Sequence, residues 1–480
     1  MRKFLSILLS AVIVLGLCAC GGGSGAGNST ETPTEAPKTL EIGFGRINII
    51  PSYPVSLHGY GEEELRITSN FTHYLYVTCI AARYGEDTIL FYTLDIGSLK
   101  KGVPALIRQA ASEATGIPGE NIFFGATHTH SGPSLFHDSV NNVKYQAEYY
   151  QHIASAAKLA IKDLAETTVS STQFEIEGMN FVRHYIMSDD SVAGPNFGNL
   201  GLGYKGHPTE PDRNMILVKF DRPEGKDDIL LVNWSAHPAN STALGRGIMS
   251  PDFIGPLRDK VEKQTGMKVA YFTGASGNII SHSYWSEENH GLAWNAYGEK
   301  LADYAIENLS KLETVEVNSL RHSQQVYQGT VDHTQDHLVP QCREINIVAF
   351  TDQDRTTANK MALELGLTSY YHALKVTTNA GLGETAPLEM NAFSIGPIGF
   401  ITADYEMFSD ASIAIRKDSP FKHTLIMCTN QTYMPSDAAF EYGSYESSQT
   451  FFIRGTAETM VDEYLKMLNS IGVEAVVVPD

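Results

Sequence analysis

The chain has 480 residues, of which 42% are hydrophobic and 10% aromatic, enough apolar side chain to bury a sizeable core. Its formal net charge of -20 excludes the basic face that a nucleic-acid binder needs. Three of its five cysteines, Cys79, Cys342 and Cys428, lie far apart in apolar runs and read as buried thiols, not as a disulfide framework.

At the N-terminus Arg2 and Lys3 precede an apolar run from Phe4 to Leu17, followed by Leu17-Cys18-Ala19-Cys20. A charged start, a short apolar stretch and small residues before a cysteine read as an export signal ending in a lipobox. The run is shorter than the ~20 residues of a membrane-spanning helix, so residues 1–20 are expected to be processed. Cys20 would then be acylated as the new N-terminus, and plain cleavage without lipid is the alternative. Residues 21–38, rich in Gly, Ser, Thr and Pro, lack the large apolar side chains needed to pack and read as a tether. No second such stretch divides residues 39–480, so one large domain is expected there. The implied location is the cell envelope, with the membrane reached through Cys20.

Within that domain, strand-like runs of branched and aromatic residues occur at Tyr74 to Ala81, Thr88 to Ile96, Ile122 to Ala126, Ile229 to Ala236, Val269 to Phe272, Glu344 to Phe350, Ala392 to Thr402 and Thr424 to Cys428. Helical patterns fall at Lys101 to Thr115, Ala147 to Ala165, Pro256 to Gln264, Gly298 to Leu312, Thr356 to Leu374 and Thr456 to Ser470. Such alternation predicts an α/β (α+β) fold, with mixed sheets and covering helices.

The run at Ile122 leads into Thr127-His128-Thr129-His130 and stops at Gly132-Pro133. In an extended segment His128 and His130 point to one side, where two imidazoles can hold a metal or a reacting carbonyl; a pair of structural histidines reads equally well. His237 closes the run Val232-Asn233-Trp234-Ser235-Ala236 before Pro238, at a rim or in a plain turn. Glu406 follows the apolar run to Thr402 and reads either as a ligand-type carboxylate or as an N-terminal helix residue before Met407 to Ile415.

Together, HTHSGP, NWSAHP, the Glu after an apolar strand and YMPSDAAFEYGSYE near the end resemble the neutral, non-lysosomal ceramidase family in order and spacing, over roughly Leu40 to Ser470. Gly43 to Ile47, Leu94-Asp95-Ile96-Gly97 and Asn180 to Arg183 add to the likeness. The resemblance implies a catalytic zinc held by His128, His237, Glu406 and Tyr433, with His130 and Arg183 at the substrate carbonyl and with Tyr445 and Ser281 as further substrate contacts. Two imidazoles and a carboxylate suit a metal that still accepts water, and a nearby His and Arg suit an oxyanion.

The chain departs from the family pattern in three places. Ile280 stands where the family's Gly-Asp-x-Ser-Pro turn carries a serine, with Ser281 one residue later. Tyr405 replaces the Gly before the zinc Glu, and no C-terminal β-sandwich is expected. The implied activity is zinc-dependent hydrolysis of a linear amide in an N-acyl, ceramide-like lipid, with no protein partner evident. A related hydrolase of another small amide or ester is the alternative, as is a surface lipoprotein that binds an amphiphile or glycan without catalysis.

Overall fold

In a computed structural model of the chain, the alternating runs form three sheets around a shared core. The structure describes residues 38–472 apart from 61–62, 101, 283–291 and 430–431. Cys20, the tether as far as residue 37, the helix start expected at Lys101 and the Asn430-Gln431 step before Tyr433 lie outside the described residues.

In the first sheet, β1 (Leu40–Asn48), β2 (Tyr76–Tyr84) and β3 (Asp87–Leu94) run antiparallel, and β4 (Ile122–Ala126) lies parallel to β3. The second repeats this plan: β5 (Thr168–Glu175), β6 (Asn214–Asp221) and β7 (Ile229–Trp234) are antiparallel, and β8 (Lys268–Thr273) is parallel to β7. In the third, β9 (Leu320–Thr330), β10 (Thr385–Ile395) and β11 (Ile398–Ala403) are antiparallel, and β12 (His423–Cys428) is parallel to β11. Each sheet therefore contains one parallel pair.

Strands buried on both faces read as unbroken apolar runs, and β4 and β7 are buried at every residue. Their inward faces meet in one cluster fed by all three sheets. Phe393 stacks on Phe400 at 4.4 Å and on Phe123 at 4.7 Å, and Phe91 reaches Phe272 at 6.0 Å. Offset aromatic packing of this kind adds about 0.5–1.5 kcal/mol per pair beyond area burial. The outward faces are covered by amphipathic helices, with α1 (Val103–Thr115) and α2 (Val140–Lys162) on the first sheet. The second carries α3 (Ile254–Thr265) and α4 (Trp294–Glu307). Between β9 and β10 the chain inserts a small helical unit, α5 (Val339–Asn346), α6 (Arg355–Glu364) and α7 (Tyr370–Asn379), with its own apolar cluster. Helices α8 (Ser409–Asp418) and α9 (Thr456–Ile471) complete the third layer.

The mixed α/β class is as expected, but several elements differ. Glu344 to Phe350 is not a strand: it belongs to α5 and the π-helical turn Ile347–Thr351. Cys342, Ile345 and Ala349 are its buried positions, a spacing of three and four residues that fits a helix despite the branched side chains. Ala392 to Thr402 is the hairpin of β10 and β11, broken at Gly396-Pro397, and Thr356 to Leu374 is two helices separated around Gly366. Among the described residues no helix is long and apolar enough to cross a membrane.

Candidate metal centre

The carboxyl ends of the parallel pairs converge on one place. Strand β4 ends at Ala126 and delivers His128 and His130, β7 ends at Trp234 and delivers His237, and β11 ends at Ala403 just before Glu406. Hydrogen bonds between sheets lock these ends together. Thr273 Oγ1 donates to the Thr127 carbonyl at 2.7 Å, and Asn233 Nδ2 donates at 2.9 Å to the Ile426 carbonyl of the third sheet as well as, within its own sheet, to the Phe272 carbonyl.

His128 is not in an extended segment, because its φ of 65° lies in the left-handed region. The chain turns there, and the turn, not strand alternation, brings the His128 and His130 rings to 4.7 Å. Nor is His237 at a rim: it is 2% exposed. Glu406 precedes α8 without belonging to it and pairs instead with Tyr433 in a two-residue parallel bridge.

Tautomers follow from the neighbours. His128 Nδ1 lies 2.6 Å from the Gly97 carbonyl, and His237 Nδ1 lies 2.8 Å from the Ser276 carbonyl. A carbonyl only accepts, so each Nδ1 carries the proton and each Nε2 presents a lone pair. Those two Nε2 atoms face each other at 2.9 Å, and His130 Nε2 is 3.2 Å from that of His128. Glu406 Oε2 lies 3.6 Å and 3.8 Å from the Nε2 atoms of His128 and His237, and it is buried without a hydrogen-bond partner among the described residues.

Lone pairs and a carboxylate directed at one buried point repel one another unless a cation sits among them. The 2.9–3.8 Å separations bracket the ~3.4 Å between ligands of a tetrahedral zinc at ~2.0–2.1 Å. Burial, the largest effect, pushes His130 and His237 well below the ordinary imidazole range, with the adjacent His128 imidazole and the Arg183 charge acting in the same direction, which favours the neutral, ligand-competent form. Burial, followed by the Glu406 charge, pushes the Tyr433 phenol well above its usual range, and a bound cation would reverse that.

A second arm closes the site. Arg183 Nε donates to Glu446 Oε1 at 2.6 Å, and Nη2 donates to the Gly277 carbonyl at 2.8 Å. The other Glu446 oxygen is 2.9 Å from His184 Nε2, whose Nδ1 meets the Tyr442 hydroxyl at 2.7 Å. Burial alone would raise the Glu446 carboxyl, but the Arg183 charge and His184 hold it well below the usual carboxylate range. The Arg183 guanidinium lies 5.5 Å over the Tyr433 ring, and Tyr445 is edge-on to Tyr433 at 6.2 Å. Gly277 ties the arm to Glu406: its N–H donates to the Met407 carbonyl, and a Cβ there would stand 2.8 Å from the Glu406 carbonyl oxygen.

The Ile279–Ile280 segment runs between Phe181–Val182 on one side and His237 on the other. Ile280 therefore borders a candidate ligand and offers no hydrogen-bonding group. Ser281 is 1% exposed, and its hydroxyl accepts from Asn240 Nδ2.

Two solved structures share this architecture. The neutral ceramidase from Pseudomonas aeruginosa superposes with a TM-score of 0.65 at 16% identity, over 93% of this chain and 77% of that one. A ceramidase complexed with C2 gives 0.64 at 15% identity, over 92% and 77%. The chain has the neutral ceramidase fold. No protein-family model and no curated protein matches the sequence.

On this ceramidase fold, sequence reasoning missed Glu446, His184 and the carbonyls of Gly97 and Ser276. Glu446 ends the block YMPSDAAFEYGSYE, whereas His184 lies one residue beyond the Asn180 to Arg183 motif. Their roles depend on contacts between distant segments, which spacing does not reveal.

Proposed function

We propose that this ceramidase-fold chain is a zinc-dependent hydrolase of a linear amide bond in an N-acyl lipid of the ceramide kind, working at the outer face of a membrane to which Cys20 anchors it. The observation that carries the reading is the convergence, on one buried point in this fold, of imidazole lone pairs and a carboxylate oxygen that has no hydrogen-bond partner among the described residues. His128, His237, Glu406 and Tyr433 would hold the ion with the nitrogen and oxygen donors zinc prefers. Zinc held there lowers the pKa of water towards neutrality and polarises a carbonyl oxygen.

His130 differs from the two ligand histidines in one physical respect. Its Nδ1 is buried without a partner among the described residues, whereas theirs are fixed by carbonyls, as ligand imidazoles usually are. That supports a role for His130 towards the substrate. Arg183, held by Glu446 and Gly277, keeps further N–H groups for the oxygen that gains charge as the amide carbonyl is attacked. A largely apolar cavity of about 600 Å3, lined by Pro104, Ala105, Leu388 and Phe452, reaches Thr432 beside Tyr433 and suits an alkyl chain.

Ile280 favours a second reading, hydrolysis of another N-acyl or ester substrate, because the neighbourhood of His237 lacks the hydroxyl that the ceramidase pattern supplies. The test is metal content per chain, followed by turnover of a panel of N-acyl and ester lipids. One zinc per chain, lost in both His128→Ala and His237→Ala together with activity, is expected. Equal zinc in all three proteins would refute the ligand set, and bound zinc without turnover of any substrate would favour a binding role.

A further inference from the structure

Outside the metal centre, a carboxylate, an imidazole and a hydroxyl stand in line. His58 Nδ1 is 2.6 Å from Glu63 Oε1, and His58 Nε2 is 3.2 Å from Ser98 Oγ. The second Glu63 oxygen accepts from Ser134 Oγ at 2.5 Å. The array therefore spans two segments, with Ser98 in the turn after β3 and Ser134 at the end of the loop that carries His128 and His130.

These are the segments whose separation fixes His128. The Gly97 carbonyl, one residue before Ser98, accepts from His128 Nδ1. The His58 ring packs directly on Gly97, where a Cβ would stand 2.5 Å from His58 Cδ2. The backbone of His58 grips the other segment: its N–H donates to the Gly132 carbonyl at 3.0 Å. Its carbonyl accepts from Arg66 Nη1 at 2.9 Å, while Arg66 Nη2 donates to the His130 carbonyl at 2.8 Å.

We propose that Glu63, His58 and Ser98 are positioning residues for the metal centre, clamping the Gly97 carbonyl against the histidine loop so that His128 presents Nε2 in the orientation a cation requires. The polarity of the array is consistent with this. Although burial favours the neutral carboxyl, His58 and Ser134 hold Glu63 below the usual carboxylate range; burial holds His58 below the imidazole range. Ionised Glu63 then accepts from His58 Nδ1–H, and His58 Nε2 accepts from the Ser98 hydroxyl. No proton moves in this role. The array acts on the ligand through one carbonyl, as the outer partners of metal-bound imidazoles do elsewhere.

This inference rests on the proposed metal site, and its test separates the two. On the full-length protein, zinc affinity is measured by competition with a chromophoric chelator, and the visible spectrum is recorded with cobalt(II) in place of zinc. His58→Ala and Glu63→Ala are expected to weaken zinc binding by about 10- to 100-fold and to alter the cobalt spectrum. Glu63→Gln keeps an acceptor for His58 Nδ1–H and is expected to stay within about threefold of wild type, with an unchanged spectrum. If His58→Ala and Glu63→Ala lose thermal stability but keep wild-type zinc affinity and spectrum, the array is merely structural and the proposal falls. Labelling of Ser98 by a fluorophosphonate would also overturn it, by making the serine a nucleophile. A wild type that binds no zinc sinks the metal site itself, whereas a zinc-binding wild type with indifferent variants sinks only the clamp.

Discussion

Replacing Glu446 with Gln tests whether the Arg183 arm is as tightly built as its geometry indicates. The carboxylate is 1% exposed and the Arg183 side chain 11%, so removing the charge leaves a guanidinium buried beside a neutral amide. Removing one partner of a buried ion pair costs about 3–5 kcal/mol, because the remaining charge is uncompensated. Gln keeps the volume and one acceptor, and Gly277 still accepts from Arg183, so the lower end, about 3 kcal/mol, is expected. The pH dependence has a fixed sign. The folded-state carboxyl is depressed relative to the ~4.3 of an unfolded Glu, so its contribution is complete above that value and is lost as pH falls towards the folded value. Denaturant unfolding of wild type and variant should therefore show a constant gap between pH 8 and pH 5 that narrows below about pH 4. Zinc content should not change, since Glu446 is not a proposed ligand. A Glu446→Gln protein as stable as wild type at pH 7 would refute the buried pair as a structural element of the site.

Four further outcomes separate the roles assigned to other residues. His130→Ala should keep its zinc and lose about 10²–10³ in kcat, measured by metal analysis and steady-state kinetics on the same preparation. Ile280→Ser should raise ceramide turnover by up to about 10² if a hydroxyl beside His237 is what ceramide hydrolysis lacks. Ser281→Ala should leave turnover unchanged, because that hydroxyl is buried and already accepts from Asn240. Cys20→Ser should move the protein from the membrane to the soluble fraction of cells, and full retention in membranes would rule out Cys20 as the anchor.

What the sequence made legible follows from how local each signal is. β4 and β7 are strongly apolar runs, broken only by Asn233 in β7, that end in motif residues, so their existence and the emergence of His128 and His237 after them could be read directly. β9 could not, because its residues are largely exposed and polar and its register is imposed by pairing with β10 along its whole length. Glu344 to Phe350 misled for the opposite reason. Its branched side chains favour a strand, but packing inside the helical insert selects the positions that a helix aligns. His128 shows the same tension at the site, where alternation suggested a shared strand face and the backbone instead takes a left-handed turn.

The convergence of the candidate ligands has a single structural cause. Parallel strands of one pair end on the same side, and here three such pairs, one per sheet, pack their faces into one aromatic core. Their carboxyl ends are therefore brought together, although His128, His237 and Glu406 are spread along the chain. Close packing of those ends is fixed by two hydrogen bonds that cross from sheet to sheet, Thr273 to the Thr127 carbonyl and Asn233 to the Ile426 carbonyl. The loops beyond the strands cannot separate without breaking buried polar contacts, each costing about 1–3 kcal/mol if left unpaired. The core thereby brings the facing Nε2 atoms of His128 and His237 to 2.9 Å of each other. It follows that Thr273→Val, remote from the imidazoles but beneath them, should weaken zinc binding while the aromatic core stays intact, as judged by chelator competition and near-ultraviolet circular dichroism. Unchanged zinc affinity in that variant would show that the loops, not the strand ends, set the geometry.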